Sequence, residues 1–288
     1  MKEMIRKLFR VLPDGIYIQL MYFYHFGRLA NLRNPKTFNE KLQWLKLHDR
    51  KSQNTIMVDK YLVKDYVSRK IGEEYIIPTY GVWDKPEDID FEILPKQFVL
   101  KWNHDSGSIV ICKDKETFDK AAAIEKLKYG VHNTGYWYSR EWPYKNVKPK
   151  IIAEKYMLDE HQKDTGLIDY KFYCFNGKAK CLYVSRGLGE SHKYAELSFF
   201  DLDWNIMPFK RDDFKPLSKI PPRPLNFEQM IELAEKLSSD HDFLRVDFYE
   251  VNKHIYFSEL TFYPCGGFMK FNPREWDLEM GMYLELTK

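Results

Sequence analysis

Apolar positions recur at helical spacing through about the first 75 residues and then change to the alternation of strands. In NPKTFNEKLQWLKL, Thr37 followed by Glu40 has the spacing of a capping box, with Phe38, Leu42, Trp44 and Leu45 available for packing. A second helix, DKYLVKDYVSRKIG, is predicted to begin near Asp59 and to stop at Gly72. YIIPTYGVW reads as a strand interrupted by Pro78, and DKPEDIDFEILPKQ as turn and loop. In FVLKWNHDSGSIVICKDK two β-rich runs flank a polar loop at 102–107, and residues 115–129 have helical composition. The aromatic, basic stretch VHNTGYWYSREWPYKNVKPK lacks periodicity and reads as a long loop. After the strand KIIAEKYM, the run DYKFYCFNGKAKCLYVS is a hairpin turning at Asn176-Gly177, a pair suited to positive φ. Residues 198–224, with Pro216, Pro221, Pro222 and Pro224, read as loop, and FEQMIELAEKLSSD as an amphipathic helix.

The last strong signal is RVDFYEVNKHIYFSELTFYPCGG, residues 245–267, a hairpin interrupted near Asn252-Lys253. A three-residue loop, 252–254, pairs Val251 with Ile255, sets Asp247 opposite Glu259 and puts Arg245 opposite Thr261. Alternation then gathers these four groups on one face and sends Val246, Phe248 and Leu260 to the other. Two carboxylates directly opposite each other repel, so a compensating charge is required.

The chain has 288 residues, 44% hydrophobic and 30% charged, a globular composition with room for one large domain or two lobes. Forty-five basic against forty-two acidic residues leave a formal +3, too balanced for a general nucleic-acid binder. The four cysteines occur singly and point to reduced thiols in a cytoplasmic protein; the eight histidines are scattered, with no HExxH arrangement. No stretch offers the ~18 apolar residues of a membrane span, and Lys2, Arg6, Lys7 and Arg10 interrupt any signal-peptide pattern. Met4, Ile5, Leu8 and Leu12 fall on one helical stripe among those basic residues. Residues 1–12 therefore suit either packing against the body or peripheral contact with an anionic membrane surface on the cytoplasmic side.

Two readings stand for the facing acids. Asp247 and Glu259 can hold Mg²⁺, a hard cation that takes oxygen ligands and is commonly shared with nucleotide phosphates, with Arg245 meeting a phosphate. Alternatively, Arg245 bridges both acids as an ion-pair triad. In KWNHDSGS, Lys101 ends a strand, and Ser106, Gly107 and Ser108 offer backbone N–H groups that could fold over phosphates. This is not a Walker A loop, and an ordinary hairpin also accounts for it. Asp201 and Asp203 in FFDLDW form a DxD pair, which keeps a glycosyltransferase with a metal-bound sugar nucleotide as the rival function. The order of elements indicates an α+β or mixed α/β architecture, not a doubly wound parallel sheet.

In sequence order, PKTFNEKLQW, FVLKWNH, REWPYKN, IIAEKYM, DYKFYCFNGK and ELTFYPCGGF resemble the teichuronopeptide-biosynthesis (TupA-like) family of the ATP-grasp superfamily, over about residues 34–277. The resemblance implies an α+β fold in which two lobes with largely antiparallel sheets clamp Mg-ATP. The expected division is 1–75 as a helical region, 76–157 as a small lobe, and 158–288 as a large lobe with the metal and substrate site. It implies that Lys60 and Lys101 contact nucleotide phosphates, that Ser106, Gly107 and Ser108 form the flap, and that Glu154, Tyr156 and Met157 edge the adenine. Asp169 would hold the ribose hydroxyls, Asp247 and Glu259 the magnesium, and Arg245 a phosphate or intermediate. Thr261 stands where the family usually has Asn, which changes the second-metal site. The implied reaction is carboxylate–amine ligation through an acyl phosphate, with a carboxylate donor and a cell-surface polysaccharide or small-molecule acceptor. Arg186, Gly266 and Gly267 are the candidates for the acceptor side.

Overall fold

The alternating segments build two antiparallel sheets, seen in a computed structural model that describes residues 10–105, 107–130, 135–159, 167–187 and 195–287. The first sheet has four strands, β1 (Thr79–Trp83), β2 (Phe98–Trp102), β3 (Val110–Cys112) and β4 (Ile151–Lys155), in the order β1-β4-β2-β3. The second has five, β5 (Ile168–Phe175), β6 (Lys178–Arg186), β7 (Glu196–Phe200), β9 (Phe243–Val251) and β10 (His254–Thr261), in the order β10-β9-β5-β6-β7. A short pair, β8 (Lys210–Arg211) with β11 (Phe271–Asn272), lies beyond the turn that follows β10. The stretch from residue 198, expected as loop, instead begins with the end of β7: Ser198, Phe199 and Phe200 pair with Val184, Tyr183 and Leu182.

Helices α1 (Asp14–Phe26), α2 (Phe38–His48), α3 (Ser52–Val58) and α4 (Leu62–Ile71) precede the sheets. Helix α5 (Lys120–Gly130) covers the smaller sheet, α6 (Gly135–Ser139), α7 (Phe227–Ser238) and α8 (Trp276–Met282) follow, and short 3-10 helices occur at Glu73–Tyr75, Pro86–Asp88, Trp142–Asn146 and Pro264–Gly267. The capping box forms as expected, Thr37 Oγ1 accepting from Glu40 N and Glu40 Oε2 from Thr37 N, both at 3.3 Å. Helix α4 begins at Leu62, just after the start expected near Asp59, whose carboxylate accepts from Tyr61 N at 2.8 Å and from Leu62 N at 3.1 Å.

Phe38, Leu42 and Leu45 of α2 and Val63, Val67 and Ile71 of α4 share one apolar core with the five-stranded sheet, where Phe38 meets Phe175, Tyr173 and Phe243. Burying each such ring contributes roughly 2–3 kcal/mol. This common core fixes the helical segment against the sheet that carries the acidic hairpin. A second core, centred on Phe98, Leu100, Trp102, Leu127 and Ile151, fills the space between the four-stranded sheet and α5.

The β9–β10 hairpin departs from the expected register near its tip and recovers it where the acids lie. Its loop is a two-residue turn, Asn252 (φ 51°) and Lys253 (φ 65°), so Val251 pairs with His254. A bulge at Ser258 then inserts one residue into β10, and from there Asp247 faces Glu259 and Arg245 faces Thr261.

Candidate active site

Because β5 lies beside β9, the face that carries the acidic pair also carries Asp169 and Lys171, with Lys171 directly opposite Asp247. Asp247 is completely buried and both its oxygens are engaged: Arg245 Nε donates at 2.7 Å to Oδ1, while Arg245 Nη2 and Lys171 Nζ each reach Oδ2 at 2.6 Å. Arg245 Nη2 also donates to Glu259 Oε1 at 2.8 Å, and Thr261 Oγ1 reaches the same oxygen at 3.2 Å. Lys171 lies 3.1 Å from Asp169. The repulsion expected between facing carboxylates is therefore offset by two cations. Burial alone would lower the Lys171 ammonium, but Asp169 and Asp247 outweigh it and hold it well above its ordinary value. Burial raises the Asp169 carboxyl, with Lys171 opposing.

The smaller sheet presents its own cationic group. Glu154, on β4, accepts from Lys101 on β2 at 2.6 Å and from Lys64 on α4 at 2.7 Å. Burial would raise this carboxyl, yet Lys101 and Lys64 keep it below the usual range. Lys60 Nζ donates to the Asp105 carbonyl at 2.6 Å. The loop after β2 is pinned by Asn103, whose amide group donates to Asp59 Oδ2 at 2.8 Å and to the Lys148 carbonyl at 3.0 Å. Ser108 is buried, a Cβ added at Gly107 would meet open space, and Ser106 lies outside the described residues.

Electrostatics joins the two groups. Burial would raise the Glu259 carboxyl, but Lys60, Arg245, Lys171 and Lys101 together hold it down to about 2. Lys60 and Lys101 belong to the side of the smaller sheet, Arg245 and Lys171 to the larger one, so cations from both sides act electrostatically on a single carboxylate, which Arg245 alone contacts directly. Glu259 is also the strongest attractive influence on Lys60, whose ammonium burial pulls down.

The remaining expected residues are placed as follows. Met157 is buried with Ile77 and Val251, against Tyr249 and Tyr256 at the end of the hairpin. Tyr156 is half-buried beside an open cavity of about 390 Å³ that also touches Tyr80 and Lys155; none of Lys60, Lys101, Asp247 and Glu259 lines it, so it does not mark the ionic cluster. Arg186 is not brought to the cluster. It alternates with Ser185, which pairs with Asp169, and its guanidinium is engaged by the Lys219 carbonyl and, at 3.6 Å, by Glu196. Gly266 and Gly267 do adopt positive φ, 61° and 68°, but the protein itself fills the adjoining space. An added Cβ would lie 2.9 Å from Ser139 Cβ at the first and 2.5 Å from Gln43 Nε2 at the second. Asp201 closes its own turn, accepting from Asp203 N at 3.0 Å and Asn205 N at 2.8 Å, which accounts for the DxD spacing without a ligand.

Sequence reasoning did not nominate Lys64, Lys171 or Lys46. The first two lie inside quoted motifs, DKYLVK and DYK, and Lys171 follows from simple alternation after Asp169. Lys46 gave no such signal: it sits in a helix of mixed polarity, yet is fully buried under the turn that follows β10.

Asp247, Glu259 and Thr261 offer a set of hard oxygen donors suited to Mg²⁺. The fit is direct for Glu259, whose Oε2 takes no part in the bonds to Arg245 and Thr261. At Asp247 it requires Arg245 or Lys171 to yield an oxygen. That Arg245 Nη2 touches both carboxylates shows them to be within reach of one cation.

The profile described as TupA-like ATPgrasp matches residues 40–285. A search of curated proteins returned no match. Among solved structures, D-alanine–D-alanine ligase from Bacillus anthracis is 19% identical with a TM-score of 0.40, over 72% of this chain and 56% of that one. The Helicobacter pylori enzyme of the same name is 14% identical with a TM-score of 0.43, over 86% and 69%. An ATP-grasp ligase, PsnB, in complex with a precursor variant, Mg and ADP, is 9% identical with a TM-score of 0.40, over 78% and 56%. The chain thus spans little more than half the length of two of these three proteins. At such scores the likenesses carry no weight beyond the profile, which covers most of the sequence and every residue of the ionic cluster. The chain belongs to the TupA-like ATP-grasp family.

Proposed function

We propose that the protein is an ATP-dependent ligase. A carboxylate oxygen attacks the γ-phosphorus of ATP, ADP leaves, and an amine or similar nucleophile then attacks the acyl carbon and expels phosphate. The observation that carries this reading is the buried ionic cluster in which Arg245 bridges Asp247 and Glu259 and Lys171 engages Asp247, with Lys60 and Lys101 acting electrostatically on Glu259 from the other side. Phosphoryl transfer needs charge neutralisation and positioning more than a protein nucleophile, and this cluster supplies fixed positive charge from two sides.

In the proposal Lys60 and Lys101 bind phosphate oxygens, Ser106, Gly107 and Ser108 close over them, and Glu154, Tyr156 and Met157 border the base. Asp169 meets the ribose, and Arg245 and Lys101 stabilise the transferring phosphoryl group. Asp247 and Glu259, aided by Thr261, would hold magnesium, which would neutralise phosphate charge. The smaller lobe would run from 76 to 157 and the larger from 158 to 288. The acceptor we propose is a cell-surface polysaccharide or its precursor, receiving an amino acid or peptide; the family assignment supports this finer reading.

The test is thermal stability with ATP and Mg²⁺, together with product analysis. ATP should raise the melting temperature of the parent protein, because a ligand that binds only the folded state stabilises it. Asp247→Asn should abolish that rise, and the product should be ADP. Stabilisation by nucleotide sugars instead of ATP, or release of AMP, would overturn the reading.

A further inference from the structure

Helix α1 is largely apolar, with Asp14, Gln19 and His25 its polar residues, but only one side of it is covered. Tyr17, Ile18 and Tyr22 are buried against the body, where Tyr17 donates to the Tyr138 carbonyl at 2.9 Å and His25 stacks on Phe268 at 4.6 Å. Ile16, Leu20, Phe23 and Tyr24, at spacings of four, three and one, form a stripe on the other side and are 48–78% exposed. Val11, just before the helix, and Leu29, just after it, extend the exposed apolar surface to both ends. Scattered exposed apolar residues need no explanation, but an aligned stripe on one helix does.

The charge around this stripe selects the occupant. Residues 10–36 hold four Lys and Arg against one Asp, a net +3; residues 37–288 hold 38 against 40, a net −2. The described segment that carries α1 is therefore basic, and the chain that follows it is slightly acidic. The one acid, Asp14, is engaged by Arg50 at 2.6 Å and by Arg140 at 3.2 Å. Arg10, Arg33 and Lys36 are exposed, whereas Arg28 is paired with Glu40. Burial first, then Lys270 and Lys46, lower the His25 imidazole. A second copy of the chain docking through the same patch would bring two such basic rims together, which the Coulomb energy opposes.

We propose that the exposed face of α1 docks on an anionic lipid surface, lying in the plane of the interface with Ile16, Leu20, Phe23 and Tyr24 inserted and the basic residues at the headgroups. No helix among the described residues is long and apolar enough to cross a membrane, so this is a surface contact. The packing of α1 on Phe268, one residue beyond Gly267, couples the docked helix to the turn that follows the carboxylate strand. The proposal rests on exposure and charge and is independent of the ligase reading.

The test is co-sedimentation of the full chain with phosphatidylcholine vesicles and with vesicles that contain about one third phosphatidylglycerol. Partitioning onto the anionic vesicles should be at least about tenfold stronger and should fall as salt screens the charges. The double variant Leu20→Glu, Phe23→Glu should lose this binding with an unchanged melting temperature, since both side chains face outward. Arg33→Glu should weaken it without touching the apolar stripe. Equal binding to both vesicle types, no binding to either, or a dimer of the parent chain that the double variant dissociates would each overturn the proposal.

Discussion

Lys46 Nζ lies 2.5 Å from the carbonyl oxygen of Gly266, a residue 220 positions later in the chain. The same ammonium donates to the Ser139 carbonyl at 2.6 Å and to Gln43 Oε1 at 2.9 Å, so its three donors meet three acceptors while Phe268 presents its ring at 4.8 Å. Burial pulls this ammonium down to about 7. Helix α2 thus ties down the turn after β10 through one buried cation. Lys46→Met keeps the stem and removes the charge, leaving buried acceptors unmatched. It should destabilise the protein by about 3 kcal/mol in urea denaturation.

Asp247 is the shared counter-ion of Arg245 and Lys171. Asp247→Asn leaves two buried cations with half their compensation, and should cost roughly 3 kcal/mol of stability besides any loss of ATP binding. Denaturant midpoints measured without nucleotide separate the structural loss from the functional one.

Glu154 plays the corresponding part for Lys64 and Lys101. Glu154→Gln should lower stability by about 2–4 kcal/mol, because both ammonium groups are largely buried and then repel. Adding Lys64→Met to that variant should recover part of the loss; strictly additive effects in the double-mutant cycle would show that the pair is not coupled through Glu154.

The pH dependence of Glu259 follows from its low pKa. A carboxyl held near 2 in the fold, against ~4.3 unfolded, contributes stability that is fully present above the unfolded value and is lost as pH falls toward 2. The stability difference between the parent and Glu259→Gln should therefore be constant at neutral pH and down to roughly pH 5, and shrink on further acidification. A difference that already declines between neutrality and pH 6 would contradict the cationic surroundings described here.

At the hairpin tip, Lys253 adopts φ 65°, a conformation that costs a residue with a Cβ. Asn252-Lys253 occupies a turn for which Asn-Gly is preferred. Lys253→Gly should stabilise the protein by about 0.5–1 kcal/mol, read as a higher denaturant midpoint with an unchanged slope.

The strands, the facing acids and the capping box were legible in the sequence because each depends on neighbours a few positions apart. Alternation assigned Arg245, Asp247, Glu259 and Thr261 to one face, and two residues of spacing from Asp169 would have added Lys171. The expected register reached the right pairing through the wrong loop: a shorter turn and the Ser258 bulge cancel at Asp247, and nothing local announces a bulge. The strand at 196–200 was hidden among prolines for the same reason, since its pairing partner lies in β6. Lys46, the opposite facing of Arg186, the filled space beside Gly266 and Gly267, and the electrostatic action of Lys60 and Lys101 on Glu259 depend on segments distant in sequence. Local residue pattern carries the period of an element and the face a side chain takes. Which charges then confront one another is settled by long-range packing, and here that packing lets cations from both sides act on one carboxylate.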